Sequence, residues 1–276
     1  ESTEAIILRR WPLGEFDLLV TLLTERQGKR GAVAHGARRL AHSFDSRFEP
    51  GSLVLVNLYQ RRTWRLPRIE QCENLNNIHA LCTTFQHHLM LAQVLELSER
   101  FATEQGAEKP LFILLAQFLI QLSMDRPNSL ILQGFIAQLL KHSGFAMQLS
   151  FCVQCGAELA TKNHQAASHD NHGAADSLTL HLEAGGVICS NCIASASSEL
   201  SPGGPIVRVS PGALQIIQRL FSDQFSHLMR MRINSKQEKE IQQVLSITVK
   251  SILGFEPNSE RVARQLQNFQ DRRVLR

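Results

Sequence analysis

The chain reads as an α+β protein, and three features predict it. Short branched-chain runs parted by turn signals fill residues 1–75, apolar stripes at helical spacing follow, and two Cys-x-x-Cys pairs interrupt the helical part. At 276 residues the chain is long enough to bury a proper core. Its 43% apolar and 20% charged content is that of a soluble globular protein.

The strands come first. Ala5–Arg9, Leu18–Leu23, Gly31–Ala34, Leu53–Tyr59 and a stretch around Ile69 are short and rich in branched side chains. Pro12-Leu13-Gly14, Gln27-Gly28 and Glu49-Pro50-Gly51 punctuate them. Five strands in about 75 residues fit a small Greek-key barrel of the OB type over residues 1–76, with an SH3-like barrel as the near alternative.

Helices follow over residues 77–150. Ile78, Leu81, Cys82, Phe85, Leu89 and Ala92 form one stripe; Phe112, Leu115, Leu119 and Leu122 a second; Leu132, Phe135, Ile136 and Leu139 a third. Gly106 with Pro110, and later Gly144, end the runs. After a stiff linker at Ser201-Pro202-Gly203-Gly204-Pro205, two more stripes appear within 205–276. They are Leu214, Ile217, Leu220 and Phe221, then Ile241, Leu245, Thr248 and Ile252. These late helices are expected to rejoin the earlier ones, which makes residues 151–204 an insertion in a helical domain.

That insertion holds Cys152-Val-Gln-Cys155 and Cys189-Ser-Asn-Cys192. A two-residue gap lets both thiolates of a turn face one point, and two such knuckles supply a tetrahedral shell of four sulfurs. Gly156 after the first knuckle, and a Gly185-Gly186 hairpin turn before the second, support the geometry. Disulfides are unexpected in a cytosolic chain. A thioredoxin-like redox pair needs a strand-to-helix setting, which neither knuckle shows in the sequence. An iron–sulfur cluster usually has more tightly clustered ligands. A structural Zn²⁺ is the reading that remains, and four thiolates leave no open position for catalysis. The intervening Leu159–Ser177, with His164, His169 and His172, reads as a flexible loop of solvated histidines. Cys72 and Cys82 read as core thiols.

Charge is distributed unevenly. Residues 1–70 hold 12 Lys/Arg against 8 Asp/Glu, residues 71–150 hold 4 against 6, residues 151–205 hold 1 against 5, and residues 206–276 hold 12 against 6. Basic ends attract polyanions, whereas the acidic zinc module is a poor phosphate ligand. The basic residues cluster at expected barrel turns: Lys29 and Arg30, Arg38 and Arg39, then Arg61, Arg62 and Arg65 around Trp64. OB barrels bind single strands by pairing phosphate neutralisation with stacking on aromatic groups. Trp64, Tyr59, Phe44 and Phe48 are the stacking candidates. No phosphate-binding Gly-x-x-x-x-Gly-Lys loop, nucleophile elbow or carboxylate cluster is present, so no enzymatic activity is expected. No apolar run is long enough for a membrane helix and Glu1–Glu4 is not the start of a signal peptide, so a cytoplasmic location is expected.

One string is specific enough to carry a family likeness. Gly14-Glu15-Phe16-Asp17, Leu22-Leu23-Thr24-Glu25, Gly28-Lys29, Ala34-His35-Gly36-Ala37-Arg38-Arg39, Ser43 and Phe48-Glu49-Pro50 resemble the bacterial RecO family, in its zinc-bearing form. His35 stands where that wording has Lys, and Gly254–Leu266 lacks the basic, serine-containing wording of the family. The resemblance implies a recombination mediator in DNA repair. Such a protein binds single- and double-stranded DNA, anneals complementary strands without nucleotide hydrolysis, and contacts RecR and the single-stranded DNA-binding protein. It thereby helps RecA onto gapped DNA in the nucleoid. A protein-binding adaptor and an RNA-binding OB factor are the alternatives.

Overall fold

A computed structural model describes the chain except for residues 40–45, 77–81, 105, 107, 125–127, 159–177, 196–203, 223–224, 229–230 and 275–276. Phe44, Ser43, Ile78, Leu81, His164, His169, His172 and most of the expected Ser201–Pro205 linker lie outside the described residues. The chain divides into two compact units, 1–128 with 257–276, and 129–256.

The first unit is built on β1 (Ser2–Leu13), β2 (Asp17–Thr24), β3 (Gly28–Ala34), β4 (Leu53–Tyr59) and β5 (Arg68–Asn76). They close a barrel in the order β1-β2-β3-β5-β4, with one parallel contact between β3 and β5. This is the connectivity of the expected OB barrel. Period-two alternation sends Leu18, Val20 and Leu22 of β2, Val54, Val56 and Leu58 of β4, and Ala32 and Ala34 of β3 into one core. Cys72 belongs to that core, as its thiol reading required, and Phe48 plugs it. In β1 the alternation fails, because Ala5, Ile6, Ile7 and Leu8 are all buried. Ala5 and Ile7 fill the barrel, and the opposite face of β1 meets a helix.

That helix, α1 (Phe85–Phe101), begins later than the apolar stripe suggests. Thr84 and His87 form a reciprocal capping box that fixes the start, so Cys82 is buried ahead of the helix and Phe85 lies 61% exposed on its first turn. The buried face is Met90, Leu91, Val94, Leu95 and Leu97. In α2 (Lys109–Met124) Phe112, Leu115, Leu119 and Leu122 are buried as read. A last helix, α8 (Asn258–Val274), has no counterpart in the sequence reading and packs on α1. The Glu96 carboxylate of α1 caps it, accepting the N–H groups of Asn258 (3.0 Å) and Ser259 (2.8 Å). Burial pushes the Glu96 pKa up, but these bonds and the nearby Arg100 outweigh it and leave the carboxyl below its ordinary value.

The second unit opens with α3 (Ser129–His142), whose inward residues include Ile131, Phe135, Leu139 and Leu140, while Leu132 and Ile136 are half-buried. Strands β6 (Leu178–His181), β7 (Gly186–Ile188) and β8 (Ile206–Val209) form a small sheet in the order β7-β6-β8, and α4 (Ser190–Ser195) follows β7. Then come α5 (Pro211–Ser222), the single turn α6 (Phe225–Leu228) and α7 (Ser235–Leu253). Helices α5 and α7 pack on α3 and on each other, burying Leu214, Ile217, Leu220, Ile241, Leu245 and Thr248. No helix among the described residues is long and apolar enough to cross a membrane.

Gly28 couples β3 to the segment after α1. Its φ is +64°, and a Cβ there would stand 2.8 Å from the carbonyl oxygens of both Thr103 and Gly106. The expected result for Gly28→Ala is a loss of about 2 kcal/mol, from left-handed strain plus backbone overlap, read as a lower urea midpoint. Glu96 stabilises α8 fully above the ordinary carboxyl pKa of 4.5, and that contribution is lost as pH falls through the depressed native value. Glu96→Gln should therefore accelerate amide exchange in α8 at neutral pH and remove this part of the acid sensitivity.

Candidate nucleic-acid interface and metal centre

The basic residues picked out by the sequence fall into three settings. Lys29 is turned inward: its backbone N–H donates to Thr103 O, and its ammonium donates to Glu99 O at 3.0 Å. Its charge thus sits at the C-terminal turn of α1, where the helix dipole favours a cation. Arg30 donates to Gln27 Oε1 and, at 3.0 Å, to Gln60 Oε1, tying β3 to the β4–β5 connection.

Arg38 and Arg39 lie just beyond β3 and are exposed. They are held against the β1–β2 turn: Arg38 N–H donates to Phe16 O (2.9 Å) and its guanidinium to Gly14 O (3.1 Å). The Arg39 guanidinium stands 5.7 Å from the centre of the Phe16 ring. Asp17 organises this junction. Its Oδ1 accepts Gly36 N–H at 2.8 Å and its Oδ2 lies 2.8 Å from His35 Nδ1. The Gly36 bond, together with His35 and Arg39, holds the Asp17 carboxyl below its usual value against the opposing effect of burial. The motif residues Asp17, His35 and Gly36 therefore shape the loop that presents the two arginines.

Arg61, Arg62 and Arg65 are exposed on the β4–β5 connection around a half-buried Trp64. Trp64 and Tyr59 meet edge to face, 5.8 Å between centroids at 86°. The Arg61 guanidinium covers both rings, at 5.1 Å from Trp64 and 5.9 Å from Tyr59. Phe48 is buried in the barrel, where it offers bases nothing. Sequence reading passed over Trp11, which is 46% exposed with the Arg9 guanidinium 3.8 Å from its ring centre, and Phe16, which is 45% exposed. The adjacent Arg9-Arg10-Trp11 before the Pro12 turn was the available signal.

The metal centre lies wholly in the second unit. The first knuckle is a turn in which Gly156 N–H donates to Cys152 O, and Val153 N–H donates to Val187 O of β7. Gly186 permits that docking, since a Cβ there would lie 2.2 Å from Gln148 O. The second knuckle leaves β7 at Cys189 and places Cys192 in α4. A strand-to-helix setting is thus present at one knuckle, contrary to the sequence expectation, because the three residues of β7 are too short a run to read. What separates this site from a redox pair is convergence. All four Sγ atoms lie within 4.8 Å of one another, and Cys155 and Cys189 Sγ are 3.7 Å apart. A tetrahedral metal with bonds of about 2.3 Å sets its sulfurs about 3.8 Å apart, so the shell fits.

The electrostatics of two of these thiols reflect the crowding. Burial raises the Cys152 pKa, yet N–H groups of Cys189, Cys155 and Gln154 directed at its sulfur bring it down to about 6. Cys192, hydrogen-bonded to the Cys189 and Cys155 sulfurs and facing that thiolate, is pushed up to about 12. Four thiolates in so small a space would repel one another, and a bound cation would offset that repulsion.

Comparison with known proteins divides the chain after the barrel, ahead of the boundary between the two compact units. A profile described as recombination protein O N terminal matches residues 1–78, and one described as recombination protein O C terminal matches residues 88–261. The chain is 32% identical over 203 residues to the DNA repair protein RecO of Frankia casuarinae, covering 72% of this chain and 76% of the relative. It is 23% identical over 269 residues to that of Syntrophus aciditrophicus, covering 97% and 96%.

Replacing one sulfur tests the metal shell. Cys189→Ser should lose equimolar metal, measured by elemental analysis, and unfold its unit at lower temperature. Full metal content with unchanged melting would show that the sulfurs do not act together.

Proposed function

This chain belongs to the recombination protein O family, and we propose that it is a DNA-binding mediator of recombinational repair in the RecF-type pathway. It binds single- and double-stranded DNA, anneals complementary strands, and helps load RecA on DNA coated by the single-stranded DNA-binding protein. RecR and the single-stranded DNA-binding protein are its protein partners, and its place is the cytoplasm, at the nucleoid.

One observation carries the reading. The exposed arginines gather on the loop after β3, which is bonded to the β1–β2 turn, and on the β4–β5 connection; the β1–β2 and β4–β5 loops are those with which OB barrels hold oligonucleotides. Arg38 and Arg39 stand beside the first of these from the loop after β3, Arg61, Arg62 and Arg65 lie on the second, and Arg30 joins the second to β3. Lys29 contributes by fixing β3 against α1. Two strands of like charge approach each other only when their phosphates are screened, and guanidinium groups on one scaffold provide that. Contacts made mainly to phosphate leave the bases able to pair. No bond to substrate forms or breaks, so the activity is not enzymatic.

The metal is Zn²⁺ in a structural role. Four thiolates fill a tetrahedral shell and leave no position for water or substrate. Cys152, Cys155, Cys189 and Cys192 would hold it, joining the first knuckle, β7 and α4.

The experiment is strand annealing and DNA binding across a salt series, with Arg38→Ala/Arg39→Ala beside the parent. The pair should weaken binding and reduce the salt slope by about 2, one unit for each phosphate no longer neutralised. An unchanged slope would mean that these arginines only coat the surface. Undetectable DNA binding by the parent at low salt would point to a protein-binding adaptor, and clear preference for matched RNA to an RNA-binding factor.

A further inference from the structure

The outer face of the barrel carries a feature the loop arginines do not account for. Reading across the strands, Trp11 of β1 pairs with Leu19 of β2, Leu19 with Val33 of β3, Val33 with Arg68 of β5, and Arg68 with Tyr59 of β4. Residues directly opposite across a ladder project to the same face. Their sequence neighbours Leu18, Ala32, Ala34, Leu58 and Ile69 fill the core, so this row points outward. Trp11, Tyr59 and Arg68 are exposed, and Leu19 and Val33 are half-buried. The row is therefore a track exposed toward its ends and half-buried at its middle, with an aromatic ring at each end, crossing four strand spacings of about 4.8 Å, roughly 19 Å along the sheet.

Its surroundings identify the occupant by charge. The Trp11 end lies on the hairpin whose turn is bonded to Arg38, and the Tyr59 end is roofed by Arg61 with Arg62 and Arg65 close by in the chain. Trp11 itself is held in place. Arg9 stacks on it at 3.8 Å and is paired in turn with Glu99 of α1 at 3.5 Å. A fixed indole with almost half its surface in water, at the end of an arginine-bounded track, matches how single strands are held: charge along the backbone and a flat ring for a base. The length suits about four nucleotides, the smallest site of an OB fold.

Resting on the DNA-binding reading above, we infer that the outer row from Trp11 to Tyr59 is a single-strand track, with Trp11 a base-stacking platform. A base stacked on Trp11 must be unpaired, so the track prefers single strands, whereas the phosphate contacts of the loops accept duplex as well. One strand is thereby retained on the outer face of the barrel while arginines screen its complement.

The chain has two tryptophans, so in a Trp64→Phe background Trp11 is the sole indole reporter. Saturating oligothymidylate should quench its emission. Trp11→Ala should weaken oligothymidylate binding about tenfold with the salt slope unchanged, and Trp11→Phe should keep most of the affinity. Affinity for duplex of equal length should change less than about twofold. Unquenched Trp11 in the bound state, Ala and Phe variants that bind alike, or equal losses on single strand and duplex would each overturn the track. If the parent protein binds neither form of DNA, the DNA-binding reading itself falls, and the parent's own titration reports that separately.

Discussion

Four consecutive apolar residues, Ala5 to Leu8, are the constraint on which the first unit depends. A barrel strand with one face in water needs apolar residues only at alternate positions. Here Ala5 and Ile7 fill the barrel, and Ile6 and Leu8 bury the other face on the side where α1 packs. Full burial of side chains of this size is worth about 1.5–3 kcal/mol each, so this short run fastens sheet and helix together. The register of β1 shifts between Ile7 and Arg9, at a bulge, and beyond it the outer face changes character. Leu8 is buried, Arg9 pairs with the end of α1, and Trp11 emerges into solvent. One strand is thus structural in its first half and presents the surface in its second, which is what bulges commonly achieve.

The second unit solves a different problem. Its sheet of three short strands is too small to stabilise itself, and the segment from Gln148 to Cys155 has almost no regular structure. Backbone bonds from Gln148 and Val153 to β7 hold this segment on the sheet, with the four sulfurs gathered at its edge. Strand β8 pairs with β6 and leads directly into α5, so the metal-binding segment shares its sheet with the helices that follow. A cation bound by the four sulfurs would offset the repulsion between thiolates so crowded, and would link the folding of this segment to metal binding.

The legible features were those set by local periodicity or by spacing. The barrel strands showed because the alternation of β2 and β4 is clean and glycine turns bound them. The four cysteines showed because two-residue gaps are informative in themselves. The start of α1 was misplaced because apolar spacing continues upstream of Thr84, whereas the true boundary is a capping bond that periodicity does not weigh. Helix α8 was missed because its sequence is polar almost throughout, and its start depends on Glu96 from a helix about 160 positions earlier. Strands β7 and β8 were too short to announce themselves. Trp11 escaped notice because the first strand was read as ending at Arg9, whereas β1 continues past the bulge to Leu13.

Charge was the signal most in need of structure. A cluster of Lys and Arg in sequence counts every residue equally, yet Lys29 is consumed in capping α1, Arg9 in pairing with Glu99, and Arg10 in pairing with Glu49 at 2.7 Å. Those three set the positions of strand, helix and the loop before β4. Arg38, Arg39, Arg61, Arg62 and Arg65 lie on loops and are exposed. The first loop is nevertheless not loose: Asp17 pins Gly36 and His35, and Arg38 is bonded back to the turn. A phosphate meeting such a loop finds cations already placed, so less ordering entropy is lost on binding. An acidic residue inside a basic site is therefore consistent with anion binding, because it fixes the backbone that carries the arginines while only partly offsetting their charge.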